Sequence, residues 1–205
     1  MRTRDSFGEA MGATWRVCLS EPVRAGDPLV VRDIAQASRL SATPVREALA
    51  WLAGQGLVER RVGRGYFMPD PSAEEVKQLY DLHRRCLLWA LETLASPQRL
   101  EPAPDIADLE DRTAWLFRCV AASSGNVVLA EAQGRAAARL RLLRRAESQV
   151  CPSEPALYAE AEAAFFAGEI PAVRRLIDGH HEARIGRAGE ICAALRPAAK
   201  NIDQI

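Results

Sequence analysis

The stretch from Leu40 to Met68, LSATPVREALAWLAGQGLVERRVGRGYFM, constrains the fold of this chain more than any other. Ser41 is a residue type that caps helices, and Pro44 is tolerated in a first helical turn because its missing N–H would have no intrahelical partner there. The sequence therefore predicts a helix that begins at Ala42 or Thr43.

The predicted helix is amphipathic. Its apolar positions have the spacing of one buried helical stripe: Val45, Ala48, Leu49 and Leu52. The same spacing leaves four residues facing outward: Thr43, Arg46, Glu47 and Ala50. We therefore expect Arg46 to point away from the core.

A β-hairpin is predicted directly after this helix. Gly54 and Gly56 end the helix, and residues 57–61 and 66–68 are typical of two short strands. The strands flank Gly63-Arg64-Gly65, a turn that needs positive φ angles. The tip of the hairpin is therefore basic.

A short helix that presents Thr and Arg, followed by a hairpin with Arg at its tip, suits double-stranded DNA. Such a helix fits the major groove, and arginines pair with phosphates or guanine edges. Helix-turn-helix shapes also serve as protein-interaction modules, and exposed arginines are common on any surface. Periodicity alone leaves both interpretations open.

The motif TPVREALAWLAGQGLVE followed by GRGYF resembles the N-terminal domain of GntR-family transcriptional regulators, particularly the branch with a helical FadR-type C-terminal domain. The resemblance implies DNA contacts from an arginine that opens the preceding helix, from residues around the Thr-Pro pair, and from the wing. In this chain these residues are Arg32, Thr43, Arg46, Gly63 and Arg64. The family usually has arginine just before the threonine, whereas this chain has Ala42, so the resemblance implies that one base contact is missing.

The charge pattern indicates that any electrostatic attraction to DNA comes from one part of the chain rather than from its overall charge. The 205-residue chain has 27 Lys and Arg against 27 Asp and Glu, so its overall charge does not indicate a polyanionic partner. Between Arg39 and Tyr66 there are five arginines against two glutamates, an excess of three positive charges. A dimer would double this excess.

The composition, with 48% apolar and 26% charged residues, is typical of a well-packed water-soluble protein of one or two domains. No segment is apolar enough to cross a membrane, and the start MRTRDSFGEAMG lacks the apolar core of a signal peptide, so we expect a cytoplasmic protein. The five cysteines are scattered, which indicates reduced packing residues rather than a zinc or disulfide framework, with a thiol sensor as the alternative.

Two domains are predicted. Helices over residues 7–19 and 30–39 precede the stretch described above, and Asp70-Pro71-Ser72 has the composition of a boundary that leads into a new helix. We therefore assign residues 1–70 to a winged helix-turn-helix DNA-binding domain. Residues 71–205 are assigned to an all-helical domain for effector binding and dimerisation.

The second domain is expected to be an antiparallel helical bundle. An apolar stripe from Ser72 to Leu94 carries His83 on its buried side, and SPQRLEPAPD then predicts a loop. Further helices are predicted at about 106–122, 127–148, 155–167 and 171–195. The fold class is thus mainly α, with a winged helix-turn-helix and its small β-hairpin wing followed by the bundle.

Three motifs in the bundle, LYDLHRR, WLFRCVAASSGN and AFFAGEIPAVRRLIDGHH, resemble the FadR-type (FCD-like) C-terminal domain, in a shortened form. In many relatives this bundle holds a divalent metal with an Asp and three His. The resemblance places those positions at Ala114, Arg118, Tyr158 and His180. A single imidazole cannot hold such a metal, so we predict no metal and no other cofactor.

Arg118 suggests that the position of the metal site binds an anionic ligand directly, because a guanidinium can neutralise a carboxylate or phosphate. The resulting hypothesis is that His83, Arg118, Tyr158 and His180 line a cavity that binds a small acidic metabolite. Each residue also has a structural interpretation. His83 suits a hydrogen-bonded core position, Arg118 an exposed surface and Tyr158 simple packing. His180 lies next to His181, which shows that a histidine at this place need not be functional.

These features together predict a homodimeric, metabolite-responsive transcriptional regulator, expected to be a repressor, that binds a near-palindromic operator. The alternative is a metabolite-binding or dimerisation module that has lost specific DNA reading, as Ala42 suggests. An enzyme is not expected, because the chain has no nucleophile elbow, phosphate loop, zinc-protease helix or supported pair of carboxylates.

Overall fold

The structure is a computed structural model that describes residues 6–20, 23–94, 106 and 108–196. The chain divides into two compact units. The first unit comprises the residues up to Pro71 together with those from Ala193 onward, and the second unit runs from Ser72 to Cys192. The sequence had assigned all residues from 71 to 205 to one domain, whereas the described end of the last helix groups with the first unit.

The first unit contains three helices and three short strands: α1 (Ser6–Cys18), β1 (Pro28–Leu29), α2 (Val31–Ser38), α3 (Ala42–Gly54), β2 (Glu59–Arg61) and β3 (Gly65–Phe67). The three helices pack against one another. The stripe predicted for α3 is buried as expected, with Val45, Ala48 and Leu49 fully inaccessible and Leu52 nearly so. The helix is therefore anchored by one face, and its opposite face is exposed.

The strands form a three-stranded antiparallel sheet with the order β1-β3-β2. Phe67 of β3 pairs with Pro28 on one side and with Glu59 on the other. Both glycines of the hairpin turn have positive φ, 72° at Gly63 and 99° at Gly65, as predicted. Strand β1 was not predicted, because two residues are too few to show an alternating pattern.

The connection between α2 and α3 is a short turn that contains an unusual backbone conformation. Arg39 closes α2 in the left-handed conformation, with φ 56° and ψ 35°. This conformation costs an L-amino acid about 1–2 kcal/mol. Ser41 occupies the N-cap position of α3, but its hydroxyl accepts no capping hydrogen bond.

The second unit is helical: α4 (Ala73–Glu92), α5 (Leu109–Ser123), α6 (Val127–Arg141), α7 (Arg144–Val150), α8 (Pro155–Ala167), α9 (Ile170–Gly186) and the first part of α10 (Ala188–Leu195). Ser72 and Glu75 form a reciprocal capping box at the start of α4. Helix α4 packs against α5, α6 and α9, and α8 packs against α9. His83 is buried on the inward face of α4, as its position in the stripe predicted.

Two of the predicted helices are each divided in two. The predicted helix 127–148 is interrupted after α6, where Leu142 and Leu143 donate backbone hydrogen bonds to carbonyls only three residues back. The predicted helix 171–195 is interrupted at Arg187, between Gly186 and the start of α10. Residues 96–105, predicted as a loop, lie outside the described residues.

The cysteines behave as packing residues. Cys18, Cys86, Cys151 and Cys192 are buried, and Cys119 is half-buried. Burial raises the pKa of the Cys18 thiol to about 11 and also raises the pKa of Cys86, Cys119 and Cys151. A raised pKa keeps these thiols protonated and weakly reactive near neutral pH.

Within the described part of the chain, no helix combines the length and the hydropathy needed to span a membrane. The observed elements, a three-helix unit with a small hairpin sheet followed by a helical bundle, confirm the predicted fold class.

Candidate nucleic-acid interface and helical-unit cavities

The five residues predicted to contact DNA all lie on the surface of the first unit. Arg32 is exposed in the first turn of α2, and Thr43 and Arg46 are exposed in the first two turns of α3. Gly63 and Arg64 are exposed in the hairpin turn between β2 and β3. Each is thus accessible to a partner.

The two arginines of the hairpin have different surroundings. Arg61 donates two hydrogen bonds to Glu59, of 2.9 and 2.8 Å, and its guanidinium lies 4.2 Å from the centre of the Phe67 ring. The hydrogen bonds from Arg61 lower the pKa of Glu59, so the carboxylate stays charged and neutralises the arginine. Arg64 lies 5.9 Å from the same ring and forms no ion pair with the described residues. Of these two arginines, Arg64 is the one available to a polyanion.

The helical unit contains a small cavity of about 50 Å³, lined by Tyr80, His83, Ala114, Phe117, Gln133 and His180 among others. This volume suits water molecules rather than a metabolite. The hydroxyl of Tyr80, a residue only 1% exposed, has no hydrogen-bond partner among the described residues.

Beside this cavity, His83 and His181 belong to a buried chain of hydrogen bonds. Nδ1 of His181 lies 2.5 Å from the Ile177 carbonyl, and since a carbonyl only accepts, this nitrogen carries the proton. His181 Nε2 must then accept from His83 Nδ1 at 2.8 Å. His83 Nε2 in turn accepts from the Gln133 amide at 2.9 Å. One pair of neutral tautomers satisfies the whole chain.

Burial keeps these imidazoles neutral. It lowers the pKa of His181 to about 4 and that of His83 to well below its usual range. The pKa of His180 is also well below its usual range, because of burial and of the nearby positive charge of Arg184.

A buried ion cluster lies next to the histidines. Arg184, which is 3% exposed, donates through Nε to Glu147 and through Nη1 to the His180 carbonyl at 3.0 Å. Its remaining nitrogen, Nη2, lies 3.7 Å from a Glu110 oxygen, too far for a hydrogen bond, and has no other partner among the described residues. One buried donor of the cluster is therefore unsatisfied.

A second, large cavity of about 320 Å³ lies on the Arg184 side of His180, between α5, α8 and α9. Its polar lining includes Thr113, Ser153, Tyr158, His180, Arg184 and Arg187. The hydroxyl of Tyr158, a residue 2% exposed, also forms no hydrogen bond of normal geometry with the described residues. A volume of this size accommodates a small metabolite.

The predicted effector residues do not converge on one cavity. His83 lines the small cavity, Tyr158 lines the large one, and His180 lies between them and lines both. Arg118 is exposed and lines neither of these two cavities. The reason is helical geometry: Phe117 is buried, and the next residue of α5 is rotated by about 100° towards solvent.

Two cations line the large cavity, the buried Arg184 and the exposed Arg187, and sequence reasoning missed both. The signal for Arg184 was its i, i+4 spacing from His180, which places both residues on one face of α9. Of the four positions that the resemblance assigned to metal ligands, only His180 has the residue type expected there. Among the described residues, no three His, Cys, Asp or Glu side chains are arranged to hold a metal ion.

Residues 18–68 match the family described as "Bacterial regulatory proteins, gntR family". The N-terminal domain belongs to the gntR family. This match spans α2, α3 and the hairpin, the elements that carry the five predicted DNA contacts. The chain is thus a transcriptional regulator with a DNA-binding helix-turn-helix, and the prediction that it is not an enzyme is confirmed, because the family that its N-terminal domain matches consists of regulatory proteins.

Two solved structures share the fold along almost the whole chain. A protein named as a transcriptional regulator GntR from Rhodococcus sp. RHA1 is 20% identical, with a TM-score of 0.67 and coverage of 93% of this chain and 99% of that one. E. coli McbR/YncC is 17% identical, with a TM-score of 0.63 and coverage of 90% and 97%. At these identities the likeness shows the fold alone. No curated protein matches the sequence.

Proposed function

We propose that this gntR-family chain is a homodimeric, ligand-responsive repressor whose affinity for a near-palindromic operator is set by a small acidic metabolite. The observation that carries the ligand part of the proposal is the unsatisfied Nη2 of Arg184, buried beside the large cavity. A buried donor without a partner costs free energy, and a ligand that satisfies it recovers that cost.

The chemistry of the large cavity favours a carboxylate. Glu147 engages Arg184 through Nε, and the His180 carbonyl engages Nη1, so an anionic oxygen would complete the coordination of the guanidinium. The Tyr158 hydroxyl, which forms no hydrogen bond of normal geometry with the described residues, would donate a second hydrogen bond. Apolar lining from Leu157 and Leu176 suits the carbon skeleton of such an acid.

A ligand can control DNA binding only if it has different affinities for the DNA-competent and DNA-incompetent arrangements of the protein. As the larger of the two cavities, the one lined by Arg184 and Tyr158 is our proposed site for this differential binding. The proposed DNA-reading residues are Arg32, Thr43, Arg46, Gly63 and Arg64, presented twice by a dimer to two half-sites.

Replacing Tyr158 by Phe tests the cavity. The variant without ligand should be at least as stable as the parent, because the hydroxyl that it loses forms no hydrogen bond of normal geometry with the described residues. With a panel of mono-, di- and tricarboxylic acids, the affinity of any acid that stabilises the parent should fall about tenfold or more, since a hydrogen bond to a charged group is worth about 1.5–3 kcal/mol. Melting temperatures at increasing acid concentration measure both effects.

Tyr80→Phe is the matched control, because Tyr80 also has a buried hydroxyl that forms no hydrogen bond of normal geometry with the described residues, but it lines the small cavity. It should leave acid binding unchanged. Equal acid affinities for the parent and Tyr158→Phe would remove the large cavity from the proposal.

Replacing Arg46 by Ala tests the DNA-reading surface. The change should cost about 1–3 kcal/mol of sequence-specific affinity while leaving the fold intact, because Arg46 is exposed on α3. The operator is first obtained by selecting bound fragments from random duplex DNA at two salt concentrations, and the affinities of parent and variant are then measured by fluorescence anisotropy. Arg135→Ala, an exposed change in α6, is the control and should bind as the parent does.

Enrichment of a short palindrome, with binding that weakens steeply as salt rises, is the expected result for a dimeric regulator. No enrichment at either salt concentration would instead favour a chain that has lost specific DNA reading, for which Ala42 at the start of α3 is the sequence signal.

A further inference from the structure

Arg39 has an unusual backbone conformation. Among the described residues it is the only one other than glycine with a positive φ, 56°. Its N–H donates to the Gln36 carbonyl at 3.2 Å, and the N–H of Leu40 donates to the Ala35 carbonyl at 2.9 Å. These bonds end α2 and turn the chain towards α3, so the left-handed conformation is set by the helix-turn-helix itself.

Glycine is the residue that adopts this conformation without steric cost. The arginine side chain gives the folded unit no visible compensation, because it is exposed and forms no hydrogen bond or ion pair with the described residues. An arginine that adopts an unfavourable backbone conformation, and whose side chain does not stabilise the fold, is best explained by a contact with another molecule.

The position of Arg39 indicates what that contact is. It lies in the turn between α2, which carries the exposed Arg32 in its first turn, and α3, which carries the exposed Arg46. In helix-turn-helix proteins the second helix enters the major groove while the first crosses the sugar-phosphate backbone, so the turn between them lies near the edge of the groove. A cation in this turn faces phosphates rather than base edges.

We propose that Arg39 binds a backbone phosphate of duplex DNA at the edge of the major groove. The proposal rests on the DNA-reading surface described above and adds a contact that holds the protein on DNA without reading its sequence. The contact stabilises complexes with operator and random DNA equally, and it explains why the turn tolerates an arginine in a left-handed conformation.

The experiment uses the full chain and a pool of random-sequence duplexes of about 30 base pairs, because a phosphate contact does not depend on sequence. Three variants are compared with the parent: Arg39→Gly, Arg39→Lys and the exposed control Arg135→Ala. Affinity is measured by anisotropy between about 50 and 200 mM salt, and stability is measured by thermal unfolding.

Arg39→Gly should melt at a higher temperature than the parent but bind DNA more weakly. The loss of one phosphate contact lowers the slope of log affinity against log salt concentration by about 0.9. The ratio of the parent's affinity to the variant's affinity should therefore fall about threefold per protomer between the lowest and the highest salt concentration. Arg39→Lys keeps the charge and should retain the salt dependence of the parent. Arg135→Ala should match the parent in DNA binding.

A rise in melting temperature together with a fall in DNA affinity would show that Arg39 serves DNA binding, because an arginine that only stabilised the fold would lower the melting temperature when replaced. If Arg39→Gly binds with the salt dependence of the parent, or if it unfolds at a lower temperature, the proposal is wrong. If the parent does not bind the duplex pool at all, the proposed function itself fails. If Arg39→Gly changes which operator is selected, Arg39 reads bases and the phosphate assignment is overturned.

Discussion

Acidification from pH 7 to pH 4 should destabilise the helical unit by about 3 kcal/mol through His181 alone. The pKa of His181 is about 4 in the folded chain against an ordinary value of 6.5. Between these two pH values His181 is protonated in the unfolded state but neutral in the folded state. Stability is therefore lost as the pH falls through this window. His83 and His180 act in the same direction, because burial lowers the pKa of both.

One group opposes this effect. Burial and the nearby Glu147 raise the pKa of Glu110, so protonation of Glu110 favours the folded state as the pH falls. Three histidines against one carboxyl leave a net loss of stability.

The measurement is denaturant unfolding at pH 7, 5.5 and 4, followed by tryptophan fluorescence. Replacing Trp15 and Trp51 by Phe in the first unit leaves Trp89 and Trp115 to report on the helical unit. Free energies of unfolding that stay constant across this pH range would show that the histidines are not buried as neutral rings.

Replacing Glu147 by Gln should destabilise the helical unit by about 3–5 kcal/mol. Glu147 accepts from Arg184, both residues are at most 5% exposed, and a buried guanidinium that loses its carboxylate keeps its charge without compensation. The more distant Glu110 oxygen, at 3.7 Å, cannot replace that hydrogen bond without movement. Urea unfolding at pH 7 measures the loss.

Glu190→Gln is the matched control, because Glu190 pairs with the exposed Arg187 at 3.0 Å and surface pairs are worth less than about 1 kcal/mol. The double variant Glu147→Leu with Arg184→Met should recover much of the stability, since apolar residues often replace a buried ion pair at little cost. A Glu147→Gln variant as stable as the parent would show that Arg184 does not depend on this carboxylate.

Features set by neighbouring residues could be predicted from the sequence. The stripe of α3, the positive φ angles of Gly63 and Gly65, and the helix start after Ser72 all depend on residues within about four positions along the chain. Helical periodicity, glycine conformations and capping act over this range, so a local pattern is sufficient to predict them.

Features set by distant residues could not be predicted in the same way. The chain of hydrogen bonds from Gln133 through His83 to His181 joins α6, α4 and α9, and no local pattern pairs these residues. The interruption of the predicted helix 127–148 likewise occurs at two leucines with no breaking residue near them. Buried Leu143 suggests that packing in the bundle determines where α6 ends.

The candidate ligand site shows the same division between local and tertiary information. The sequence by itself determined the fold class, the exposed face of α3 and the burial of His83, because each follows from side-chain spacing on a single helix. Only the tertiary structure decided that Arg184 rather than Arg118 reaches a cavity. A cavity is formed by side chains from several helices, and the direction in which each side chain points depends on how those helices are rotated against one another.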